Sequence, residues 1–522
     1  MKVIIVERTV LASNPPTCKL GSCAMKVIIV EDNVETLGVL RDFVRAIDAN
    51  YEVQLYASGA ALMERKDKIQ ADLIILGYDL GPSVKGTELL HYLEWRQGIS
   101  AKTHVIFLSN TIHLAKRQAP LRFTQTEFRE KPMSLGHLHA SIAWVKENQA
   151  TFSSVFYLID KQKWLPAFNS LQLCKANCPP HLQQQAWLLE CMLLLKLGQF
   201  AKVIRRYQLI QDYCWARAMK LRALFSLGQY KAGRHLFNSM ASQDAYYSAT
   251  LALVNQLSIA SGQLADLQMP ASLKESELSL FECEFKAIVL TYQRQTDDGI
   301  AYLNNKLKRA KRGSHQAYFY AVAILKTVLL GVFKEPTVEH AKAQLGAMQA
   351  ALNIIATQQH GRDKELNESL WPALLEHFEA GTITAASDTQ LKVGEPTQDA
   401  SPISLLVRMY LHWIAHSEVQ ICQVQACVNL IQQQGATSRA TSNQLLLELM
   451  LGMMLPEPSQ RVRLADALGT SLFKQTQFDI AAYAWHRAVR LAPQNPALAQ
   501  KLSACMQRLE VKQFLPQETT AS

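Results

Sequence analysis

Two hydrophobic patterns divide the chain, and the change falls near residue 150. Before it, short apolar runs typical of buried strands alternate with stretches whose apolar residues have helical spacing. The predicted strands lie at 26–30, 53–56, 72–76, 104–108 and near 127–128, and the predicted helices at 34–47, 60–66, 87–96 and 135–146. This alternation predicts an α/β fold with a doubly wound, parallel, five-stranded sheet. Its functional groups are expected at the carboxyl ends of the strands.

From about residue 148 onward, apolar residues recur at helical spacing with short connectors, which predicts an all-α region of stacked helix pairs. The clearest unit is residues 462–495, with Leu468, Gly469, Phe478, Ala481, Trp485, Ala488 and Pro493 at its key positions. Small residues let two helices approach closely, the large aromatic residues fill the space between them, and the proline ends the second helix. At nearly every signature position this unit resembles the tetratricopeptide repeat. We expect residues 496–509 to form a capping helix.

Weaker copies of this unit occur earlier, where the turns LGQF (197–200) and LGQY (227–230) lie 30 residues apart. No repeat register can be set within 241–460. The segment MKVIIVE occurs at both 1–7 and 25–31, so the first copy is interpreted as part of an ill-ordered leader. The expected organisation is the leader at 1–24, the α/β domain at 25–150 and a divergent helical array at 151–380. A flexible linker at 381–403, poor in large apolar residues, then precedes a C-terminal helical array at 404–522.

Polar residues stand where the predicted strands end, which is where such a sheet binds its ligands. They are Glu31 and Asp32 after the first strand, Gly77 and Asp79 at the third, Ser109 at the fourth, and Phe128 and Lys131 at the fifth. In these residues and their spacing, residues 25–150 resemble the receiver domain of response regulators, which implies a flavodoxin-like topology. The resemblance also implies roles. The acidic pair would hold Mg²⁺, an aspartate at the third strand would accept a phosphoryl group, and the serine and lysine would contact that group.

Position 77 departs from the receiver pattern, because the acceptor position is glycine. Glycine can neither form an acyl phosphate nor bind a metal, and Asp79 lies two residues too far along to replace it without a backbone rearrangement. At most weak Mg²⁺ binding at Glu31 and Asp32 is expected. Lys131 is then available to pair with Glu31 or Asp32 and to hold one conformation. Taken singly, the acidic pair also suits the start of a helix, and Ser109 and Lys131 suit ordinary loops.

Charge, cysteines and hydropathy exclude several classes of protein. The net charge of +10, from 54 basic and 44 acidic residues, is a mild excess over 522 residues and does not favour nucleic acid. The densest basic run, 306–312, is interpreted as a solvated helix face. The ten cysteines lack the paired spacing of a zinc site, which favours reduced thiols in a cytoplasmic protein. We find no apolar run near the ~20 residues that cross a bilayer, so no membrane insertion is expected.

These observations predict a protein that is not an enzyme. The resemblance implies an auxiliary signalling adaptor of a bacterial two-component phosphorelay, without a cofactor. Such an adaptor would bind a histidine kinase, a response regulator or an effector through a pseudo-receiver and tetratricopeptide-repeat surfaces. One alternative is a response-regulator switch that is phosphorylated on another aspartate, such as Asp79. A second is a nucleic-acid-binding regulator that uses residues 306–312. Phosphodonor labelling and salt-dependent retention on DNA or RNA distinguish these alternatives.

Overall fold

The computed structural model describes residues 24–512, with gaps. Outside the described part lie residues 1–23, 64, 66–68, 82–83, 96–97, 228, 242, 261–266, 268–277, 294–295, 311–313, 336–337, 358–372, 375, 377–401, 417–418, 434–437 and 513–522. The predicted leader therefore lies outside the described residues except for residue 24. The predicted linker also lies outside them, except that its last two residues, 402 and 403, begin a helix.

A parallel five-stranded sheet forms the N-terminal domain, as the sequence predicts. Its strands are β1 (Lys26–Val30), β2 (Glu52–Tyr56), β3 (Leu73–Gly77), β4 (His104–Ser109) and β5 (Thr126–Glu130), in the order β2-β1-β3-β4-β5. The accompanying helices are α1 (Val34–Ile47), α2 (Gly59–Met63), α3 (Gly86–Trp95), α4 (Ile112–Gln118) and α5 (Leu135–Thr151). Helices cover both faces of the sheet, so β3 and β4 are buried along their whole length. The loops after β1, β3, β4 and β5 leave the sheet at one edge.

The first of these loops is short because α1 starts immediately after β1. The side chain of Asn33 accepts a hydrogen bond from the backbone N–H of Thr36 at 2.9 Å, which caps the helix. Leu37, Leu40 and Val44 then recur at helical spacing and pack against the sheet in one apolar cluster. The cap and this apolar face together fix Glu31 and Asp32 at the carboxyl edge of the sheet.

The rest of the described chain is helical, which confirms the predicted all-α region. Its first eleven helices are α6 (Ser153–Asp160), α7 (Trp164–Ala176), α8 (Gln183–Lys196), α9 (Phe200–Ile210), α10 (Ala216–Ser226), α11 (Tyr230–Asn238), α12 (Tyr247–Ala260), α13 (Leu280–Gln293), α14 (Thr296–Arg309), α15 (His315–Lys334) and α16 (Val338–Thr357). The C-terminal six are α17 (Pro402–His416), α18 (Ile421–Gln433), α19 (Ser438–Met454), α20 (Pro458–Lys474), α21 (Phe478–Leu491) and α22 (Pro496–Lys512). Consecutive helices form hairpins at α8–α9, α10–α11 and α20–α21, with their turns where the sequence places them.

Helices α20 and α21 form the hairpin expected from residues 462–495, and α22 follows it. A Cβ at Gly469 would lie 2.8 Å from the indole ring of Trp485, so only glycine allows this approach. The indole N–H of Trp485 donates to Asp466 at 2.9 Å, which fixes the ring across the two helices. Leu468, Ala481 and Ala488 are buried in the same core. Phe478 is partly buried against it, and Pro493 is exposed beyond the end of α21.

The helical region packs directly on the α4–β5 side of the N-terminal domain. Arg117 of α4 donates two hydrogen bonds to Glu282 of α13, at 2.7 and 3.2 Å, and both side chains are buried. The side-chain amide of Gln185 on α8 exchanges hydrogen bonds with the backbone of Phe123 and Gln125. The backbone N–H of Leu280 donates to the carboxylate of Glu88 at 3.0 Å. One buried ion pair, three further hydrogen bonds and a shared apolar cluster therefore join the two regions.

One helix corrects the expectation that no segment reaches bilayer length. Residues Gln316–Lys334 of α15 are long and apolar enough to cross a membrane by length and composition, yet 83% of that window is buried inside the protein. Within it, Lys326 forms a buried ion pair with Glu284 of α13. The apolar composition of α15 is accounted for by its place at the centre of the largest hydrophobic core.

Candidate functional site

The carboxyl edge of the sheet carries an open pocket that gathers the residues expected from the sequence. It is lined by Glu31, Asp32, Asn33, Thr36, Asp79, Leu108, Ser109, Asn110, Lys131 and Pro132. Five of the predicted site residues are therefore brought together from four loops. Asn33, Thr36 and Asn110 are additional lining residues that sequence reasoning does not single out. Their position in the sequence, shortly after a strand that ends at this edge, is the feature that could have identified them.

A buried ion pair lies at the centre of this pocket. The ammonium group of Lys131 donates a hydrogen bond to Oε1 of Glu31 at 2.6 Å. The side chain of Glu31 is 1% exposed and that of Lys131 is 21% exposed, so water screens the pair weakly. This is one of the two pairings that the sequence predicts for Lys131. Asp32, the other predicted partner, is exposed at the rim of the pocket.

The carboxylate of Glu31 also occupies the space beside position 77. Gly77 is the last residue of β3, and a Cβ placed on it would lie 2.6 Å from Oε2 of Glu31. It would also lie 3.1 Å from Cδ2 of Leu80. Any side chain at position 77 would therefore require the Glu31 carboxylate to move. The glycine and the inward position of Glu31 depend on each other.

The second oxygen of Glu31 is electrostatically unusual. Oε2 is buried and has no hydrogen-bond partner among the residues that the structure describes. Burial raises the pKa of the Glu31 carboxyl, and the hydrogen bond and charge of Lys131 oppose part of this rise. The negative charge of Glu31 is thus stabilised mainly by Lys131, with a longer hydrogen bond of 3.5 Å from the backbone N–H of Asn33 to Oε1.

Ser109 and Phe128 have local partners. The hydroxyl of Ser109 accepts a hydrogen bond from the backbone N–H of Thr111 at 2.9 Å, which shapes the loop after β4. The ring of Phe128 stacks on Phe107 of β4 with centroids 5.8 Å apart. Ser109 therefore stands at the pocket wall, whereas Phe128 belongs to the partly buried apolar layer beside it.

The donor set does not fit a resident divalent cation. Mg²⁺ is normally held by oxygen ligands in a near-octahedral arrangement. Here an ammonium group takes one oxygen of Glu31, and Asp32 and Asp79 are exposed side chains on separate loops. Among the described residues, no group of three or more His, Cys, Asp or Glu side chains is placed to share a metal. The pocket therefore holds a carboxylate–ammonium ion pair in place of a metal site.

The loop after β3 connects the pocket to the helical region, a connection that sequence reasoning misses. The hydroxyl of Tyr78, buried next to Asp79, donates to the side-chain oxygen of Gln118 at 3.0 Å. Gln118 adjoins Arg117, which pairs with Glu282 of α13. Burial raises the pKa of the Tyr78 phenol far above its ordinary value, with Glu88 and Asp79 contributing, so this hydroxyl remains a donor. Only the adjacency of Tyr78 to position 77 could have drawn attention to it.

The basic run at 306–312 gives little support for a binding site. Lys311 and Arg312 lie outside the described residues. The ammonium group of Lys306 packs over the ring of Tyr302 at 5.5 Å from its centroid. Lys308 and Arg309 are exposed at the end of α14, where basic side chains suit the helix dipole.

Comparison with known proteins identifies the N-terminal domain. Residues 27–143 match the family model of the response regulator receiver domain. No curated protein and no solved structure matches the chain. The match spans the whole sheet and its carboxyl edge, so residues 27–143 are a receiver domain. Receiver domains are generally signalling modules without enzymatic activity that interact with histidine kinases or other proteins. A receiver domain suggests a role in two-component signalling.

Proposed function

We propose that the chain is an auxiliary adaptor of a two-component system, whose pseudo-receiver and tetratricopeptide-repeat surfaces hold other signalling proteins. Its receiver domain acts without phosphorylation, and the chain is not an enzyme. The partners we propose are a histidine kinase, a response regulator or an effector. All eight cysteines in the described part of the chain are free thiols, which supports a cytoplasmic location.

The observation that carries this proposal is the arrangement of Glu31, Gly77 and Lys131. Position 77 has no nucleophile, its side-chain space holds the Glu31 carboxylate, and Lys131 is paired with that carboxylate. An acyl phosphate cannot form at glycine. The ion pair nevertheless places a carboxylate of the chain itself beside Lys131, without phosphorylation. This favours constitutive binding over a switch.

Two exposed apolar residues flank the pocket and suit a protein contact. Val34 opens α1 and is 72% exposed, and Leu135 opens α5 and is 41% exposed. Both follow loops that line the pocket. Because the α4–β5 side is covered by α8, α12 and α13, the α1–α5 side is the part of the receiver surface that we propose for the partner.

Affinity capture with defined variants tests the adaptor role. The baits are the full chain, its Val34→Asp/Leu135→Asp variant and a Tyr157→Asp control, which adds a charge at an exposed hydrophobic residue elsewhere. We expect a histidine kinase or response regulator to be identified by mass spectrometry with the wild-type and control baits, and to be lost with the double variant. Recovery of no two-component protein by any bait would contradict the proposal.

A phosphorylated switch is the second candidate, because Asp79 is exposed and lines the same pocket. Its carboxylate is two residues from the acceptor position, and the backbone of Asp79 bridges to Lys85 instead of extending β3. Direct phosphodonor labelling separates this candidate from the adaptor.

A further inference from the structure

One side of the helical region contacts the receiver domain, and the opposite side is exposed. Helices α8 and α10 are the first helices of two successive hairpins, and their inner side, together with α12, meets the receiver domain. Gln185 of α8 accepts a hydrogen bond from the backbone N–H of Gln125, just before β5. The guanidinium group of Arg117 on α4 lies over the ring of Tyr247 on α12. Met219 of α10 belongs to the apolar cluster that the two regions share. The receiver domain therefore covers the face that stacked helix pairs ordinarily offer to a partner. A partner from outside must bind a different face.

The outer helices α9 and α11 carry a dense basic surface. Together the two helices carry five lysine or arginine residues and no acidic residue. On α9 the cations form one stripe with Leu209, and on α11 they form a similar stripe. The stripes are Lys202, Arg205, Arg206 and Leu209 on α9, and Lys231, Arg234, His235 and Asn238 on α11. Residues at these spacings lie on one face of a helix.

Most of these cations are available to a partner. Lys202, Arg205 and Lys231 are exposed, and no ion pair involves them within the residues that the structure describes. Arg206 reaches the buried carboxylate of Glu190 at 3.3 Å but stays 44% exposed. The opposite face of α9 is apolar, with Val203 and Ile210 buried. The positively charged side chains of α9 therefore lie on its solvent-facing side, and α9 itself has no acidic residue.

We propose that the outer face of α9 and α11 is a docking surface for an acidic, leucine-bearing helical segment of a partner protein. The positive charge of the surface favours an acidic occupant. Leu209, 65% exposed at the end of the α9 stripe, adds an apolar contact that a phosphate backbone would leave unused. The ring of Tyr207 is covered by the ammonium group of Lys220 at 4.1 Å, so it does not offer a face for base stacking. Each stripe covers about two helical turns, the length of a short helix contact.

The docking surface extends the proposed adaptor role and rests on it for its biological meaning. The test of the surface does not involve the receiver pocket. The probe is a fluorescein-labelled synthetic peptide of about 20 residues, with leucines on one helical face and glutamates on the other. A second peptide has the same composition in scrambled order, and a third probe is a single-stranded DNA of about 20 nucleotides. Binding to the full chain is measured by fluorescence anisotropy at low and high salt.

The matched variants differ only in where charge is removed. The test variant is Lys202→Gln/Arg205→Gln/Lys231→Gln, and the control is Lys161→Gln/Lys163→Gln/Lys474→Gln, three lysines exposed elsewhere. We expect micromolar binding of the helical peptide, weakened about tenfold in the test variant and unchanged in the control. Salt should weaken it, and the scrambled peptide should bind less tightly.

Three results would overturn the inference. They are absence of peptide binding to the wild-type chain, equal weakening in both variants, and tighter binding of the DNA that is lost in the test variant. The last result would assign the face to nucleic acid. Because every substituted side chain is exposed, thermal unfolding should be unchanged in both variants, and loss of fold does not confuse the result. Failure here would leave the capture experiment on the receiver face unaffected, and the reverse also holds.

Discussion

Lys131 and Glu31 form a buried ion pair, 2.6 Å from Nζ to Oε1, on the edge of the sheet where β3 ends in a glycine. The other oxygen of Glu31 lies where a side chain at position 77 would begin. The pocket therefore contains its own anion in contact with its own lysine. This arrangement supports the proposed adaptor role, in which the receiver domain acts without phosphorylation.

Removing the side chain of Lys131 should lower the free energy of unfolding. Lys131→Ala leaves the buried Glu31 carboxylate with only the 3.5 Å hydrogen bond from the backbone N–H of Asn33, so the free energy of unfolding should fall by about 2–3 kcal/mol. Urea unfolding of the two proteins at neutral pH measures the difference. Adding Glu31→Gln should restore part of the loss, because the remaining group is neutral. Unchanged stability and unchanged partner binding in Lys131→Ala would show that the pair holds nothing in place.

The contact between the receiver domain and the helical region should depend on Arg117 and Glu282. Either Arg117→Ala or Glu282→Ala leaves the other charge buried, and each should cost about 3–5 kcal/mol. A double-mutant cycle, followed by urea unfolding and by limited proteolysis between the two regions, measures the coupling. The exposed pair Lys26–Glu52 is the control, since its removal should cost less than about 1 kcal/mol. Equal effects at the two pairs would contradict the buried interface.

The sequence predicts the sheet and most of the pocket because both depend on local patterns. Apolar β-branched runs mark the strands, and polar residues follow each run at the carboxyl edge, so Glu31, Ser109 and Lys131 could be placed together. Helix α4 is not predicted, since its seven residues give too short a periodic signal. The Arg117–Glu282 pair spans 165 residues, and no local pattern relates such positions.

The exact place of a side chain also lies beyond sequence patterns. The glycine at position 77 is evident from the sequence. That the Glu31 side chain lies beside this glycine depends on its rotamer and on its ion pair with Lys131. In the helical region the spacing of Gly469 and Trp485 predicts a close hairpin, which α20 and α21 form. That the receiver domain covers the inner side of α8 and α12 follows only from the packed structure.

The interface between α3 and α4 should make stability depend on pH through His91. Burial lowers the pKa of His91 from its ordinary value of 6.5 to about 4, and a hydrogen bond to the carbonyl oxygen of Gln118 opposes the shift. Below pH 6.5 the unfolded chain binds a proton that the folded chain excludes until about pH 4. Stability should therefore decrease by about 2 kcal/mol between pH 7 and pH 5 from this residue.

The His91→Gln variant isolates that contribution. It retains a donor for the Gln118 carbonyl and removes the titrating group, so its loss of stability from pH 7 to pH 5 should be smaller than in the wild-type chain by the same amount. Urea unfolding at the two pH values gives both slopes. Parallel slopes would mean that His91 is equally protonated in the folded and unfolded states.

Gly469 should be far less tolerant of substitution than another helical glycine of the same array. Gly469→Ala places a Cβ against the Trp485 ring and should destabilise the chain by about 1–3 kcal/mol, despite the higher helix propensity of alanine. Gly452, on α19, has no atom within 4 Å of its Cβ position, so Gly452→Ala should be neutral or stabilise by up to about 1 kcal/mol. Thermal unfolding monitored by circular dichroism compares them. A similar effect at both positions would contradict the close approach of α20 and α21.

Phosphodonor labelling tests the central claim most directly. The full chain and its Gly77→Asp variant are incubated with acetyl phosphate and Mg²⁺, and acyl phosphates are mapped by borohydride trapping and mass spectrometry. We predict no modified aspartate in the wild-type chain and modification at position 77 in the variant, where the new carboxylate displaces that of Glu31 and releases Lys131. An acyl phosphate on Asp79 or Asp32 of the wild-type chain would contradict the account and make the protein a phosphorylated switch.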